Sequence, residues 1–414
     1  MPGLSKIKKK ISDMEALERE LHLKQLQVNQ LLNITQAINS NISAEGLYRM
    51  FESFLGWEIG VKKMVLYIKT EDAWENVAAI GLTPQQLTTD VSELLKEITR
   101  MKNLDDSDHP LIGAFDLVIP VRHKEQPIAY VFIGGFSDDD DMYSKVQFIT
   151  TITNVIAVAI ENKRLFKRQL EQERLKREVE LASEIQRMLI PTALPHKNNY
   201  SLESIYKPQL GVGGDYFDYL EFEDGKIVLC VGDVSGKGLA AALLMANFQA
   251  IFHTLIHKRD DLITFIQDLN LAVLRITGGE RFITFFVAEY DTHQRILRYI
   301  SAGHNPPVLV VEGKPHLLKA GCTILGAFKD LPEIEVGEVH VDGEATLLIY
   351  TDGLTDLLNA EGEYFDEDKV LHFTTSHYHM SATDFKRQLL REIDAFKGDQ
   401  LYPDDFTVLI CKID

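Results

Sequence analysis

The chain has 414 residues, with 43 Lys and Arg against 62 Asp and Glu, for a formal net charge of −19. That length predicts two or more domains with ample core, and the acidic balance argues against nucleic acid as a partner. Cys230 and Cys411 sit in apolar strand-like runs, and no stretch reads as a membrane span of ~20 apolar residues or as a signal peptide, so a cytoplasmic protein with no membrane partner is expected.

Residues 13–55 repeat apolar side chains at helical spacing (Leu17, Leu21, Leu31, Ile34, Ile38, Ile42), and Ser43 is placed to cap the helix that follows. Strand-like runs come next at 63–69 (KMVLYIK), 74–81 (WENVAAIG), 115–123 and 127–136. A closing helix begins near Tyr143 and carries Val146, Phe148, Ile149, Ile152, Ile156 and Val158. Trp57, Trp74 and Tyr130 are candidates to line a pocket, with plain packing as the alternative, and Asp138 to Asp141 read as a solvated loop. This order of helix, antiparallel sheet and return helix resembles a GAF domain, a small bacterial sensor module, by pattern and not by signature residues. The resemblance implies a small-molecule or protein signal, and the absence of cysteine here argues against a thiol-attached chromophore. The reading gives an N-terminal helix at 1–28 and a GAF-like domain at 29–160.

Residues 161–190 are rich in Glu, Lys, Arg, Gln and Leu and contain no Gly or Pro. A 4/3 register through Leu165, Arg168, Gln172, Leu175, Val179, Ala182, Gln186 and Leu189 predicts a weak coiled coil, because polar core positions cost stability while fixing register. A parallel homodimer with a switch helix is expected, Ile185, Met188 and Leu189 packing on the domain that follows. A plain solvated connecting helix is the alternative.

The C-terminal half places aspartates beside short apolar runs: Asp215 in GVGGDYFD, Asp233 after IVLCV, Asp352 after TLLIY, and Asp404 with Asp405 ahead of TVLIC. Hard carboxylates at strand ends suit Mg²⁺ or Mn²⁺, and two such ions roughly 3.5–4 Å apart can activate water against phosphorus. Gly213, Gly214, Gly232 and Gly353 allow close backbone approach, although Asp-Gly pairs also serve as ordinary turns. Ser235, Gly236 and Lys237 precede a predicted helix whose N-terminal amides suit an anion; for Lys237 a solvated helix start is the equal alternative. GDVSGKG fails as a nucleotide P-loop, having three residues between Gly232 and Gly236 where four are needed, and Gly238 where Ser or Thr is needed. His253 and His257 have zinc-like spacing but no neighbouring acid at the right place in sequence. They read as structural, as do His304 and the loose group of His372, His377 and His379.

ELASEIQRMLIPTALP (180–195), GGDYFDY (213–219), GDVSGKGLAAALLMA (232–246), RFITFFVAEYD (281–291), SAGHNPPVLV (301–310), YTDGLTD (350–356) and DDFTVL (404–409) resemble, in order, the SpoIIE-type bacterial serine phosphatases of the metal-dependent protein phosphatase (PPM) superfamily. The resemblance implies an α/β (α+β) chain whose residues 191–414 form an α-β-β-α sandwich. It implies two Mn²⁺ or Mg²⁺ ions and hydrolysis of phosphoserine or phosphothreonine on a regulatory protein, in the family an anti-sigma-factor antagonist, by activated water without a phosphoenzyme. Asp215 and Asp233 would be the central catalytic ligands, joined by the carbonyl of Val234 and by Asp352 and Asp404. Asp405, Asp218 and Asp356 would be further ligands or supports. Distant relatives hold the phosphoryl group with an arginine near the first strand, but SIYKPQLGV has none, leaving Lys207 and Lys237. A catalytically silent or weakly active dimeric scaffold is the alternative.

Overall fold

The structure, a computed structural model, describes residues 2–57, 59–70, 73–104, 112–123, 126–135, 142–258 and 261–414; the run Asp138 to Asp141 lies outside them. The chain divides into two compact units, Met1–Gln172 and Glu173–Asp414.

The first unit holds helices α1 (Pro2–Asn39) and α2 (Ala44–Trp57), strands β1 (Lys63–Lys69) and β2 (Trp74–Ile80), short helices α3 (Pro84–Leu87) and α4 (Ser92–Glu97), then β3 (Lys102–Asn103), β4 (Leu117–His123) and β5 (Gln126–Gly134). The Ser43 hydroxyl accepts from the Gly46 amide at 3.1 Å, so it caps α2 as its sequence position predicts. The strands form an antiparallel sheet in the order β2-β1-β5-β4-β3. Side chains alternate across a strand, so Met64 and Leu66 pack on one face with Phe51, Phe54, Phe148 and Ile152 of the helices, while Val65 and Tyr67 pack on the other with Val91, Leu95 and Tyr130. Both faces being covered explains why KMVLYIK reads as a nearly unbroken apolar run. Helix α5 (Met142–Arg187) is continuous over 46 residues and runs from this unit into the next.

The second unit contains β6 (Tyr200–Lys207), β7 (Tyr216–Glu221), β8 (Lys226–Val234), α6 (Gly238–Ile256), α7 (Leu262–Thr277), β9 (Ile283–Asp291), β10 (Ile296–Ala302), β11 (Val308–Val311), β12 (Lys314–Leu317), β13 (Gly321–Cys322), β14 (Gly337–His340), β15 (Ala345–Tyr350), α8 (Asp352–Thr355), α9 (Glu367–His377), α10 (Ala382–Lys397) and β16 (Phe406–Ile413). One sheet runs β13-β10-β9-β8-β7, with β14 also on β10, and the other runs β12-β11-β15-β16-β6. Leu347, Ile349, Leu409 and Cys411 of the second sheet share a core with Phe217, Val231 and Phe285 of the first and with Phe248 and Phe252 of α6. Their strand neighbours Leu348, Tyr350, Val408 and Ile410 turn the opposite way, onto Phe373 of α9 and Phe385 and Leu389 of α10. The layers are therefore helix, sheet, sheet, helix, the sandwich expected.

Against the expectation of no membrane-length apolar segment, the helices Tyr143–Arg187 and Gly238–Ile256 each contain an 18-residue window long and apolar enough to span a bilayer, with mean hydropathies of 1.2 and 1.7. The same apolarity has a use inside the units. Met245, Phe248, Phe252 and Ile256 of α6 lie in the core of the second, and Phe148, Ile149, Ile152 and Ile156 of α5 in that of the first.

Candidate active site

Buried hydrogen bonds draw the strand-end aspartates together from both sheets. Asp215, ahead of β7, is buried, and its Oδ2 accepts from the Thr351 hydroxyl at 2.8 Å; Thr351 in turn accepts from the Thr407 amide at 3.1 Å. Asp405 is likewise buried and accepts from the amides of Gly214 at 2.6 Å and Gln209 at 2.8 Å. These bonds tie the 209–215 loop of the first sheet to β15 and β16 of the second. The Asp233 carboxyl, opposite Thr284 in the β8–β9 ladder, lies near enough to that of Asp215 for each to act on the other's titration.

Glycines make this closeness possible. A Cβ on Gly353 would stand 1.9 Å from the Asp405 carbonyl oxygen, and one on Gly213 would stand 2.4 Å from the Asp405 carboxylate. A Cβ on Gly214 would come within 2.8 Å of the Val234 carbonyl oxygen, so that carbonyl faces the same loop. Gly232 differs, since a Cβ there would meet the ring of Phe285; it accommodates core packing and no ligand.

Like charges gathered in a poorly solvated place raise one another's pKa. Burial, then the neighbouring Asp233, holds the Asp215 carboxyl well above the usual carboxylate range. Burial, followed by Asp352, Asp404 and Asp405, pushes Asp233 up to about 7. Asp352 is raised by burial and then by Asp356 and Asp404, and Asp405 is raised mainly by burial against the pull of its amide donors. This is a set of hard oxygen donors in excess of local positive charge, and its chemistry fits a divalent cation such as Mg²⁺ or Mn²⁺. Among the described residues, no three His, Cys, Asp or Glu side chains stand in a finished ligating arrangement. Asp404 is turned instead to Lys237, with Nζ to Oδ2 at 2.8 Å.

Several expectations are corrected by this geometry. Asp218 is no part of the cluster: it is buried on β7, accepts from the Tyr216 hydroxyl and faces His253 Nε2 at 2.7 Å, which also supplies the acid that HTLIH lacked in sequence. Asp356 is exposed and acts on Asp352 by charge alone. The Ser235 hydroxyl accepts from the Phe282 amide at 3.0 Å, and Lys237 Nζ also donates to the Pro403 carbonyl at 2.9 Å. Ile185 and Met188 do not pack on the domain; they are 62% and 79% exposed, because α5 turns Gln186 inward. Gln186 donates to the Gly213 carbonyl at 2.7 Å and accepts from its amide at 3.0 Å, so it is also unavailable as a coiled-coil core position. In the first unit Trp74 and Tyr130 line a cavity of about 560 Å³ with Lys69, Lys96 and Arg122, whereas Trp57 is 90% exposed.

Gln186, Thr351 and Arg281 are the residues missed. A polar residue inside a motif-like helix end was the available signal for Gln186. For Arg281 the signal was its place at the head of RFITFFVAEYD, but only the β8–β9 register carries it to Ser235, whose carbonyl accepts from its Nη1 at 2.8 Å.

Comparison with known proteins agrees with this architecture. The family described as "Stage II sporulation protein E (SpoIIE)" matches residues 223–414. "Phosphoserine phosphatase RsbU" of Bacillus subtilis is 23% identical over 275 residues, covering 66% of this chain and 80% of that one. "Protein IcfG" of Synechocystis is 24% identical over 260 residues; the match takes in 56% of this chain but only 41% of that protein. Among solved structures, the SiaA-PP2C domain of Pseudomonas aeruginosa superposes with a TM-score of 0.53 at 21% identity, over 59% of this chain and 99% of that one. Residues 223–414 are thus similar to the SpoIIE family, and the fold of the C-terminal part is that of the SiaA-PP2C domain.

Proposed function

We propose that the chain is a metal-dependent protein serine/threonine phosphatase acting on a phosphorylated regulatory protein, as in partner-switching regulation. The observation that carries this is the convergence of Asp215, Asp233, Asp352, Asp404 and Asp405, whose mutual repulsion a divalent cation would relieve. Asp215, Asp233, the Val234 carbonyl, Asp352 and Asp404 would hold two Mn²⁺ or Mg²⁺ ions. When bound, these supply activation of water and polarisation of the phosphate. The chain's own residues position the ligands: Thr351 fixes the rotamer of Asp215, and Asp405 clamps the Gly214 amide. Lys237 holds Asp404 at the rim, so a change at Lys237 alters the donor set.

In this reading the first unit is a GAF-like sensor for a small-molecule or protein signal, and α5 is the regulatory connection. Gln186 favours that role, because it joins the end of α5 to the loop bearing Asp215. The exposed Leu165, Phe166, Leu170, Leu175, Leu181, Ile185 and Met188 favour a homodimer through this helix. A sedimentation mass of one 47.0 kDa chain at micromolar concentration would remove the dimer.

The test of the enzyme is hydrolysis of p-nitrophenyl phosphate and of a phosphoserine peptide by the full chain with MnCl₂, MgCl₂ or EDTA. Manganese-dependent turnover is expected, lost at least about 100-fold in Asp233→Asn. Turnover unaffected by EDTA would sink the metal reading, and none under any condition would leave the silent scaffold.

A further inference from the structure

We infer that Arg281 is the phosphate-binding residue of the site, holding the phosphoryl group of the substrate at the mouth of the acidic cluster; this rests on the phosphatase reading. The sequence offers no arginine ahead of Gly213, and the two lysines in its place are occupied. Lys237 is paired with Asp404 at 2.8 Å and bonded to the Pro403 carbonyl, and Lys207 Nζ donates to the Tyr402 hydroxyl at 2.9 Å. Arg281 is exposed, and its one hydrogen bond, from Nη1 to the Ser235 carbonyl, leaves Nε and Nη2 available; among the described residues it has no acidic partner.

Its position is built by the fold. Ser235 and Phe282 exchange two hydrogen bonds, from the Ser235 amide to the Phe282 carbonyl at 2.9 Å and from the Phe282 amide to the Ser235 hydroxyl at 3.0 Å. They extend the β8–β9 ladder past Val234–Ile283 and fix Arg281 two residues beyond the partner of Val234. The guanidinium then lies on Gly236, which has φ +100°, and a Cβ there would stand 1.9 Å from Nη1. A side chain at 236 would displace the guanidinium, and the positive φ there favours glycine in any case. A planar guanidinium anchored at one corner presents parallel N–H groups matching two oxygens of a phosphate dianion. Asp233 lies two residues from the anchoring carbonyl, so the phosphate would be delivered beside the acids.

The experiment measures KM and kcat for p-nitrophenyl phosphate, and the inhibition constant of inorganic phosphate, on the manganese-loaded full chain. It compares the wild type with Arg281→Ala, Arg281→Lys and Gly236→Ala. Arg281→Ala is expected to raise KM and the phosphate inhibition constant about tenfold, the loss of one charge-assisted contact, with the manganese requirement unchanged. Gly236→Ala should reproduce it by displacing the guanidinium. Arg281→Lys, keeping charge without the fork, should raise both about threefold and decides the matter if the alanine variant fails to fold. Unchanged KM and inhibition constant in a folded variant overturn the assignment while the phosphatase stands. No turnover by the wild type overturns the phosphatase reading and this assignment with it.

Discussion

The two units treat buried polar groups in opposite ways. In Glu173–Asp414, five acids crowd the ends of two sheets, and burial with mutual repulsion drives Asp215 and Asp233 far from ordinary carboxylate behaviour. In Met1–Gln172, the polar groups on the inner sheet face are neutral and largely satisfied: the Tyr130 hydroxyl meets the carbonyls of Leu95 at 2.9 Å and Ile98 at 3.0 Å, while the cations Lys69, Lys96 and Arg122 stay at the cavity rim. An arrangement that opposes folding persists where something else requires it, so the second unit declares its chemistry and the first does not.

The difference also governs how changes should act, beginning with the largest effect. Gly353→Ala drives a Cβ to 1.9 Å from the Asp405 carbonyl oxygen, backbone that cannot swing aside, in a fully packed place. A loss of more than about 3 kcal/mol is expected, enough to unfold the second unit or lower its melting transition by roughly 6–12 °C, with the first unit's transition unmoved. Scanning calorimetry of the full chain checks this, and a single transition moving as a whole would break the comparison.

Gln186→Ala comes next. It leaves the buried amide and carbonyl of Gly213 without their partners, for a cost of about 2–3 kcal/mol. Because Gly213 lies two residues from Asp215, manganese-dependent turnover should fall together with stability. Turnover unchanged in a destabilised variant would mean that α5 holds the domain together without touching its chemistry.

How much of this was legible in sequence follows the range of the interactions. An apolar run ending in Asp is a local pattern, so Asp215, Asp233, Asp352 and Asp404 could be read, as could β1, whose bounds at 63–69 match the run KMVLYIK. Interactions between distant segments could not. His253 finds Asp218 from 35 residues away and Arg281 finds Ser235 from 46. The face of α5 was misread for a related reason: with apolar and polar residues mixed through 161–190, the 4/3 pattern fits several phases, and only the contact with Gly213 shows that Gln186 points inward. The first unit's identity as a sensor rested on element order alone, which fixes no chemistry.

His304 gives an effect of intermediate size with a defined sign. It is buried, with Nδ1 3.0 Å from the Thr284 hydroxyl and Nε2 unpartnered among the described residues, and burial pushes its pKa down to about 4. Its folded pKa lies below the unfolded value, so the unfolded chain takes up the proton first as pH falls. Stability is full above about 6.5 and declines toward 4, by about 2 kcal/mol at pH 5. Urea unfolding at pH 7 and pH 5 should show this decline in the wild type and about 2 kcal/mol less of it in His304→Asn; an equal decline in both would mean that other groups carry it.

The smallest expected effect lies in the first unit and tests whether its polar groups are as ordinary as they look. Tyr130→Phe removes a hydroxyl whose single proton serves the carbonyls of Leu95 and Ile98, and it leaves the edge-to-face contact with Trp74, centroids 5.0 Å apart, in place. Both carbonyls adjoin the cavity lined by Lys96 and Ile98, where solvent can replace the lost donor, so the cost should be about 1 kcal/mol and the first transition should fall by about 2–4 °C. Manganese-dependent turnover should not move, because nothing in that bond reaches the acids. A change in turnover with so small a change in stability would make Tyr130 part of a signalling path, and the cavity beside it would become the place to search for the ligand that sets it.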